Sequence, residues 1–389
     1  MMAPPGVKNI TKSNAHMNNN TTPFVASASF VTRFRLTGLL SALILAGCAA
    51  SNSQTSTQAT APGTFVQQGA ATGARPVKVM IVTMFAPEAK TWLDKLGPWD
   101  SIPVAGLSPD YPVVQCNHDD VCVMTTGMGH TNAAASTMAL AFAPQFDLRQ
   151  TYFLVAGIAG VNPQQGTVGS AAWSDWLVDF GLQWEIDPDH RPKGWRTGYL
   201  GINTKNPGEK PALDYRTEVF QLNARLTSAA YALSHDVALS DSPEAKAARA
   251  KYRYAPANRA PGVIRCDSIA GDTWWSGAEL GARATEFTRQ LTGGKGNYCM
   301  TQQEDNATYE ALKRAAATQR VDLDRVAVLR AGSDFDRPYK GQSSASNLLN
   351  YASQGGFAPA LENLYRAGNP LVQDIVAHWD DWRAGVPTR

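Results

Sequence analysis

Three runs of apolar, largely β-branched residues constrain this chain most: Val77 to Met84 (VKVMIVTM), Thr151 to Ala156 (TYFLVA) and Arg325 to Arg330 (RVAVLR). None alternates regularly between apolar and polar residues. Each is therefore expected to be a strand buried on both faces, as in a largely parallel sheet covered by helices. Glycines follow these runs closely: Gly157 and Gly160 after the second, Gly332 after the third. An α/β sheet places its ligand at the carboxyl ends of its strands, where such glycines let backbone turn or approach.

Between the runs, helical and extended patterns alternate. Pro87 stands at a helix start, with Glu88 to Leu96 continuing it. Val113 to Gln115 and Val121 to Thr125 read as hairpin strands, Gly127-Met128-Gly129 turns into a small-residue helix over 132–142, and Val168 to Phe180 continues in strand fashion. Residues 187–215 read as loop, 217–233 and 243–252 as helix, Gly262 to Ile269 as strand, Gln302 to Thr318 as helix, and Ser343 to Trp382 as mostly helix. The expected class is α/β, with a mixed central sheet flanked by helices. No second linker or internal repeat interrupts residues 76–389, which are expected to form one domain with insertions.

The first 75 of the 389 residues differ in character. Arg33 to Cys48 reads RFRLTGLLSALILAGC: two arginines, an apolar run of about eleven residues, then small residues. That is the layout of a secretory signal, and the run is too short to span about 30 Å of hydrocarbon. Its Leu-Ala-Gly-Cys ending resembles the lipobox of bacterial lipoproteins, which implies a leader over 1–47 and a lipid on Cys48. Met17 is the expected start of that leader. Residues 48–75, rich in Ser, Thr, Gln, Ala and Gly, read as a flexible tether reaching on the order of 30 Å. Ala49 after the cysteine implies, by the same resemblance, the outer membrane and a periplasmic location.

Net charge is +2, with no basic run, so no nucleic-acid partner is expected. Past Cys48 no stretch approaches eighteen uninterrupted apolar residues. With Cys48 set aside, four cysteines remain. Cys116 and Cys122 flank the turn-rich Asn117-His118-Asp119-Asp120, so a bridge across that hairpin is expected, leaving Cys266 with Cys299. Zinc is the competing reading, but there is no CxxC pair and His118 is the sole nearby imidazole, so no metal and no cofactor are expected.

Six segments carry candidate chemistry. KVMIVTMFAPEAK (78–90) places Glu88 in an acidic turn after the first strand. TTGMGHTNAAAS (125–136) offers Gly127, Gly129 and His130, and lacks the third glycine of a dinucleotide fingerprint. VAGIAGVNPQQGTVGSAAW (155–173) offers Gly157 and Gly160. CDSIAGDTWWSGAELG (266–281) holds Trp274 and Trp275, MTQQEDNATYEAL (300–312) holds Glu304, Asp305 and Asn306, and VLRAGSDFDRP (328–338) holds Asp334.

In this order and spacing the segments resemble the nucleoside phosphorylase and nucleosidase superfamily, over about Val77 to Arg337. The long insertions and tail look most like its purine nucleoside permease family. The resemblance implies a nucleoside phosphorylase-like fold and a purine nucleoside as partner. Glu88 would activate water, and Asp334 would protonate or hydrogen-bond the departing purine, with Arg330 or Arg337 positioning it. Trp274 or Trp275 would stack on the base. Gly157 and Gly160 would let backbone approach base and ribose, and His130 is a ribose candidate. Glu304, Asp305 or Asn306 would grip the ribose hydroxyls, the register being open.

The turn after the first strand lacks the Gly-Asp-Pro and the Arg that meet phosphate in phosphorylases, although Lys90 is near. Hydrolysis is therefore expected ahead of phosphorolysis, with phosphate left open as a second partner. The alternative is a nucleoside-binding protein that assists a separate transporter without catalysis. Each singled-out residue also has a structural reading: Glu88 as a helix-dipole partner, the tryptophans as core, the acidic segment as capping. The oligomeric state stays open, a homo-oligomer included.

Overall fold

The computed structural model describes residues 73–388. Cys48, the leader and most of the tether lie outside them. Within them the three apolar runs lie side by side. Strand β1 (Val79–Thr83) pairs in parallel with β2 (Val121–Thr125) and with β3 (Tyr152–Val161), and β3 pairs in parallel with the strand that ends at the last motif, Val326–Phe335. Between these in sequence come β4 (Asp267–Ala270) and β5 (Tyr298–Gln302), which makes Val326–Phe335 β6. Strand β5 is parallel to β4 but antiparallel to β3, so the sheet is mixed. Among the described residues this sheet has twelve strands.

Side chains alternate faces along each strand, and both faces are apolar. Met80 and Val82 of β1 join one buried cluster with Leu140 of α2 (His130–Ala141) and Leu312 of α3 (Asp305–Ala316). Val79 and Ile81 join another with Trp92 of α1 (Ala86–Leu96) and Leu364 and Leu371 of α4 (Phe357–Ala377). That two-sided burial explains why the runs are continuous. The expected class, a mixed sheet flanked by helices, is what the chain forms.

The expected hairpin is present, and its ends are joined by the Cys116–Cys122 disulfide; Cys266 is bonded to Cys299. The sulfurs of the hairpin are bonded to each other, which leaves no thiolate there for zinc. Arg75–Pro76 pairs in parallel with Phe146–Asp147.

Several boundaries differ from the sequence reading. Residues 217–233 split into a strand, Val219–Gln221, and a helix, Ala224–Ser234, because the Asn223 side chain accepts the Arg225 N–H and starts the helix there. The 262–269 run breaks at Cys266: Val263–Arg265 pairs with Ala171–Trp173, whereas β4 pairs with Trp176–Asp179. The expected helix from Gln302 starts at Asp305, since Gln302 closes β5 and its Oε1 caps the helix by accepting N–H bonds from Glu304 (2.6 Å) and Asp305 (2.9 Å). A 14-residue helix, Ala278–Leu291, and the strands β5 and Asp100–Pro103 add to the sequence reading.

Candidate functional site

Strand β3 changes partners along one edge. Tyr152 to Val155 pair with β1, and Gly160 and Val161 pair with β5. Between them the ladder on that edge is interrupted, which frees the Ile158 N–H. It donates to Glu88 Oε1 at 2.7 Å, while the Met84 N–H, just past the end of β1, donates to Glu88 Oε2 at 2.7 Å. Glu88 thus stitches the gap where two strands part. Gly157 permits this: a Cβ there would lie 2.4 Å from Arg330 Nη1 and 3.0 Å from Glu88 Oε1.

A cleft of about 390 Å³ opens at this gap, at the carboxyl ends of β1, β3 and β6, large enough for a small organic ligand. Glu88, Glu304 and Asp334 line its wall, together with Ile158 to Gly160 of β3. Met128, Trp274, Tyr351 and Phe357 form an apolar rim, each at least 40% exposed. The Trp274 and Tyr351 rings are 4.6 Å apart, and Phe85 meets Phe357 at 6.3 Å.

The two deepest carboxyls have unusual acidity. Burial pushes Glu88 up to about 7, against the opposing pull of the Arg330 guanidinium and its two backbone N–H donors. Burial also pushes Asp334 up to about 7; the Ser333 hydroxyl, 2.8 Å from Oδ2, pulls down, and the Asp336 charge pushes further up. Near neutrality each group is thus poised between its acid and its base form, which suits one to give a proton and the other to take one.

Glu304 is held differently. Its Oε1 accepts the Gly129 N–H at 3.0 Å and its Oε2 accepts Arg330 Nη2 at 3.1 Å. Gly129 has a φ of 89°, the left-handed region that lets this turn aim its N–H at the cleft. Glu304 keeps lone pairs that hydroxyl groups can donate to.

The structure brings Glu88, Gly160, Trp274, Glu304 and Asp334 together, with Gly129 and Gly157 directly behind them. The other candidates lie elsewhere. Trp275 is 7% exposed and packs on Phe180 and Tyr298 in the core. Successive residues point opposite ways, so a single indole of the pair reaches the cleft. Asp305 is fully buried, salt-bridged to Arg330 Nη2 at 2.6 Å and hydrogen-bonded to the Ser268 hydroxyl. Asn306 donates to the Thr217 carbonyl and lines a smaller cavity of about 220 Å³ between α2 and α3. His130 lines that cavity too, with Nδ1 3.2 Å from Asp272 Oδ1 and Nε2 3.8 Å from Asp179 Oδ2. Gly127 turns the chain before α2 with φ 84°.

Neither arginine expected to position Asp334 touches it. Arg330 lies four residues earlier, about 13 Å along an extended strand, and is engaged by Glu304, Asp305 and the Ile158 carbonyl. Arg337 grips its neighbour Asp336. Lys90 pairs with Asp94 at 2.7 Å on the surface and does not line the cleft. The sequence reading missed the rim residues Phe85, Tyr351 and Phe357, which come from segments with no local chemical signature.

Among the described residues, no group of three or more His, Cys, Asp or Glu side chains is placed to hold a metal ion, and no helix is long and apolar enough to cross a membrane.

Comparison with known proteins places this site in context. A probable purine nucleoside permease of Schizosaccharomyces pombe is 40% identical over 318 residues, covering 78% of this chain and 90% of that protein. A purine nucleoside permease of Candida albicans is 38% identical over 308 residues, covering 78% and 76%. Among solved structures, a 5'-methylthioadenosine/S-adenosylhomocysteine nucleosidase from Neisseria meningitidis aligns over 77% of this chain and 98% of its own at 13% identity and a TM-score of 0.44. Futalosine hydrolase of Helicobacter pylori aligns over 77% and 97% at 13% identity and a TM-score of 0.45. The family described as purine nucleoside permease matches residues 76–387; with the two relatives above, this means that the chain belongs to the purine nucleoside permease family.

Proposed function

We propose that this chain takes purine nucleosides outside the cytoplasm and breaks their N-glycosidic bond with water. The observation that carries the reading is the pair of buried carboxyls, Glu88 and Asp334, both raised to about 7 and both facing one cleft. In the reaction, Asp334 gives its proton to N7 of the base as the C1'–N9 bond breaks. The bond's electron pair leaves with the base. Glu88 takes a proton from the water whose oxygen bonds to C1', and the positive charge that develops on the sugar is stabilised by the surrounding carboxylates. Glu304 accepts hydrogen bonds from the ribose hydroxyls, and Trp274 covers the base. Products are free purine and ribose; Asp334 regains a proton from solvent and Glu88 gives its proton up to solvent.

Water is favoured over phosphate by charge. Three carboxyls line the cleft, and its one nearby arginine, Arg330, is already bound by Glu304 and Asp305. Among the described residues lining the cleft, a phosphate dianion would meet no cation.

A second reading, nucleoside capture for a separate transporter, is favoured by the permease description of the relatives. It needs the cleft and no chemistry. Incubating the full chain in detergent with adenosine, guanosine and inosine, with and without phosphate, separates the two. Free base without phosphate supports hydrolysis. Binding with no base released sinks the enzyme reading in favour of capture.

The proposed location rests on the leader, on Cys48 and on two disulfides, which persist in oxidising compartments. Incorporation of labelled fatty acid into the wild-type chain but not into Cys48→Ser tests the anchor; equal labelling removes Cys48 from it.

A further inference from the structure

Behind the wall that carries Asp334 lies a second buried ionic cluster that the chemistry above leaves unused. Asp336, two residues on, is 1% exposed. Its Oδ1 accepts Arg337 Nε at 2.6 Å, and its Oδ2 accepts Arg337 Nη2 at 2.8 Å and the Tyr298 hydroxyl at 2.7 Å. The backbone is pinned as well: the Asp336 N–H donates to the Val161 carbonyl at 3.0 Å, and its carbonyl accepts the Gly277 N–H at 3.0 Å. The guanidinium packs on Gly281, where a Cβ would come within 2.3 Å of it. Phe335, between the two aspartates, gives its N–H to Gln354 and accepts from the Asn347 amide. None of Tyr298, Asp336 and Arg337 lines the cleft.

Burying an ion pair rarely adds net stability over apolar packing, so this cluster asks for another use. The direct one is electrostatic. A fixed charge two residues away is felt by its neighbour even at an effective interior dielectric constant of about 20. We propose that Asp336, clamped by Tyr298 and Arg337, is a positioning residue that sets the pH at which Asp334 gives up its proton.

The proposal rests on reading Asp334 as the acid that assists the base. The Asp336 charge opposes ionisation of Asp334, in the same direction as burial. The other titratable groups that line the cleft with Asp334 are Glu88 on α1, Glu304 ahead of α3 and Tyr351 on the rim; Arg330, earlier on β6, is engaged by Glu304 and Asp305. Replacing Asp336 by Asn removes the opposing charge and leaves the Arg337 cation, so Asp334 ionises earlier. Replacing Tyr298 by Phe removes a donor that draws charge away from Asp336, so Asp334 ionises later. The two variants act in opposite directions, which a loss of packing would not produce.

The test uses the full chain in detergent, with the pH profile of kcat/KM for base release and the ¹³C carboxyl titration of Asp334. Asp336→Asn is expected to move the alkaline limb down by about one pH unit. Tyr298→Phe is expected to move it up by less, and Asp336→Glu to restore the wild-type profile. A folded Asp336→Asn with an unmoved limb, or both variants moving the same way, overturns the proposal. If circular dichroism shows that Asp336→Asn does not fold, Tyr298→Phe decides alone: an upward movement supports, none overturns. If the wild type releases no base, the catalytic reading fails, and the ¹³C titration still decides the role of Asp336 by the same opposite movements.

Discussion

Replacing Asp334 by Asn should slow base release by orders of magnitude and stabilise the fold at alkaline pH, and the second effect can be worked from the structure. Asp334 is fully buried, and its carboxyl is raised from the ordinary 3.8 to about 7. A folded state that holds its proton more tightly than the unfolded one is most stable, as far as this group is concerned, below pH 4. Stability is then lost as pH rises through the folded value, between about 4 and 7, where the unfolded chain ionises and the folded one resists. At about 1.4 kcal/mol per pH unit, the full loss is about 4 kcal/mol. Asn has nearly the same shape and does not ionise, so the variant escapes this loss. Urea unfolding of both proteins at pH 4 and pH 8 measures it. The wild type should lose on the order of 4 kcal/mol more than Asp334→Asn across that range, while base release by the variant falls by roughly 10²–10⁴. Equal pH dependence in the two proteins would refute the buried neutral acid on which the mechanism depends.

Other outcomes follow from the same geometry. Activity should be bell-shaped in pH with a maximum near 7, because Glu88 must be ionised and Asp334 protonated; in Glu88→Gln the rising limb should vanish and the rate fall by about 10²–10⁴. Trp274→Ala should weaken nucleoside binding by roughly 5- to 150-fold, the worth of one base–aromatic stack, read by fluorescence or calorimetric titration, with Trp275 left to hold the core. Arg330→Met should cost about 3–5 kcal/mol in urea unfolding, since it leaves Asp305 and Glu304 buried without their cation.

The strands of this fold were legible because two-sided burial leaves a continuous apolar run. Val79–Thr83 lies within the first run, while Tyr152–Val161 and Val326–Phe335 start with their runs and continue past them through the glycines expected to follow the strands. The breaks were not legible, because they depend on partners. Nothing local in 262–269 says that residues before Cys266 pair with one strand and those after it with another. The helix Ala278–Leu291 begins at Gly277 with no side-chain cap, so it lacks the usual start signal.

The site shows the same division. Glu88, in the first turn of α1 after β1, and Asp334, next to the last residue of β6, both reach the cleft from recognisable segments. Of Glu304, Asp305 and Asn306, Glu304 alone lines the cleft, because Arg330, 25 positions past Asp305, draws Asp305 into a buried ion pair. Tyr351 and Phe357 reach the rim from the helical tail, through packing that a sequence pattern does not encode.

In the proposed reaction water, not phosphate, takes the sugar. Cleavage in ¹⁸O-enriched water, with phosphate present, tests it most directly by mass spectrometry of the released sugar. The expected product is free ribose carrying one ¹⁸O, with no ribose 1-phosphate. Unlabelled ribose 1-phosphate as the product would contradict it.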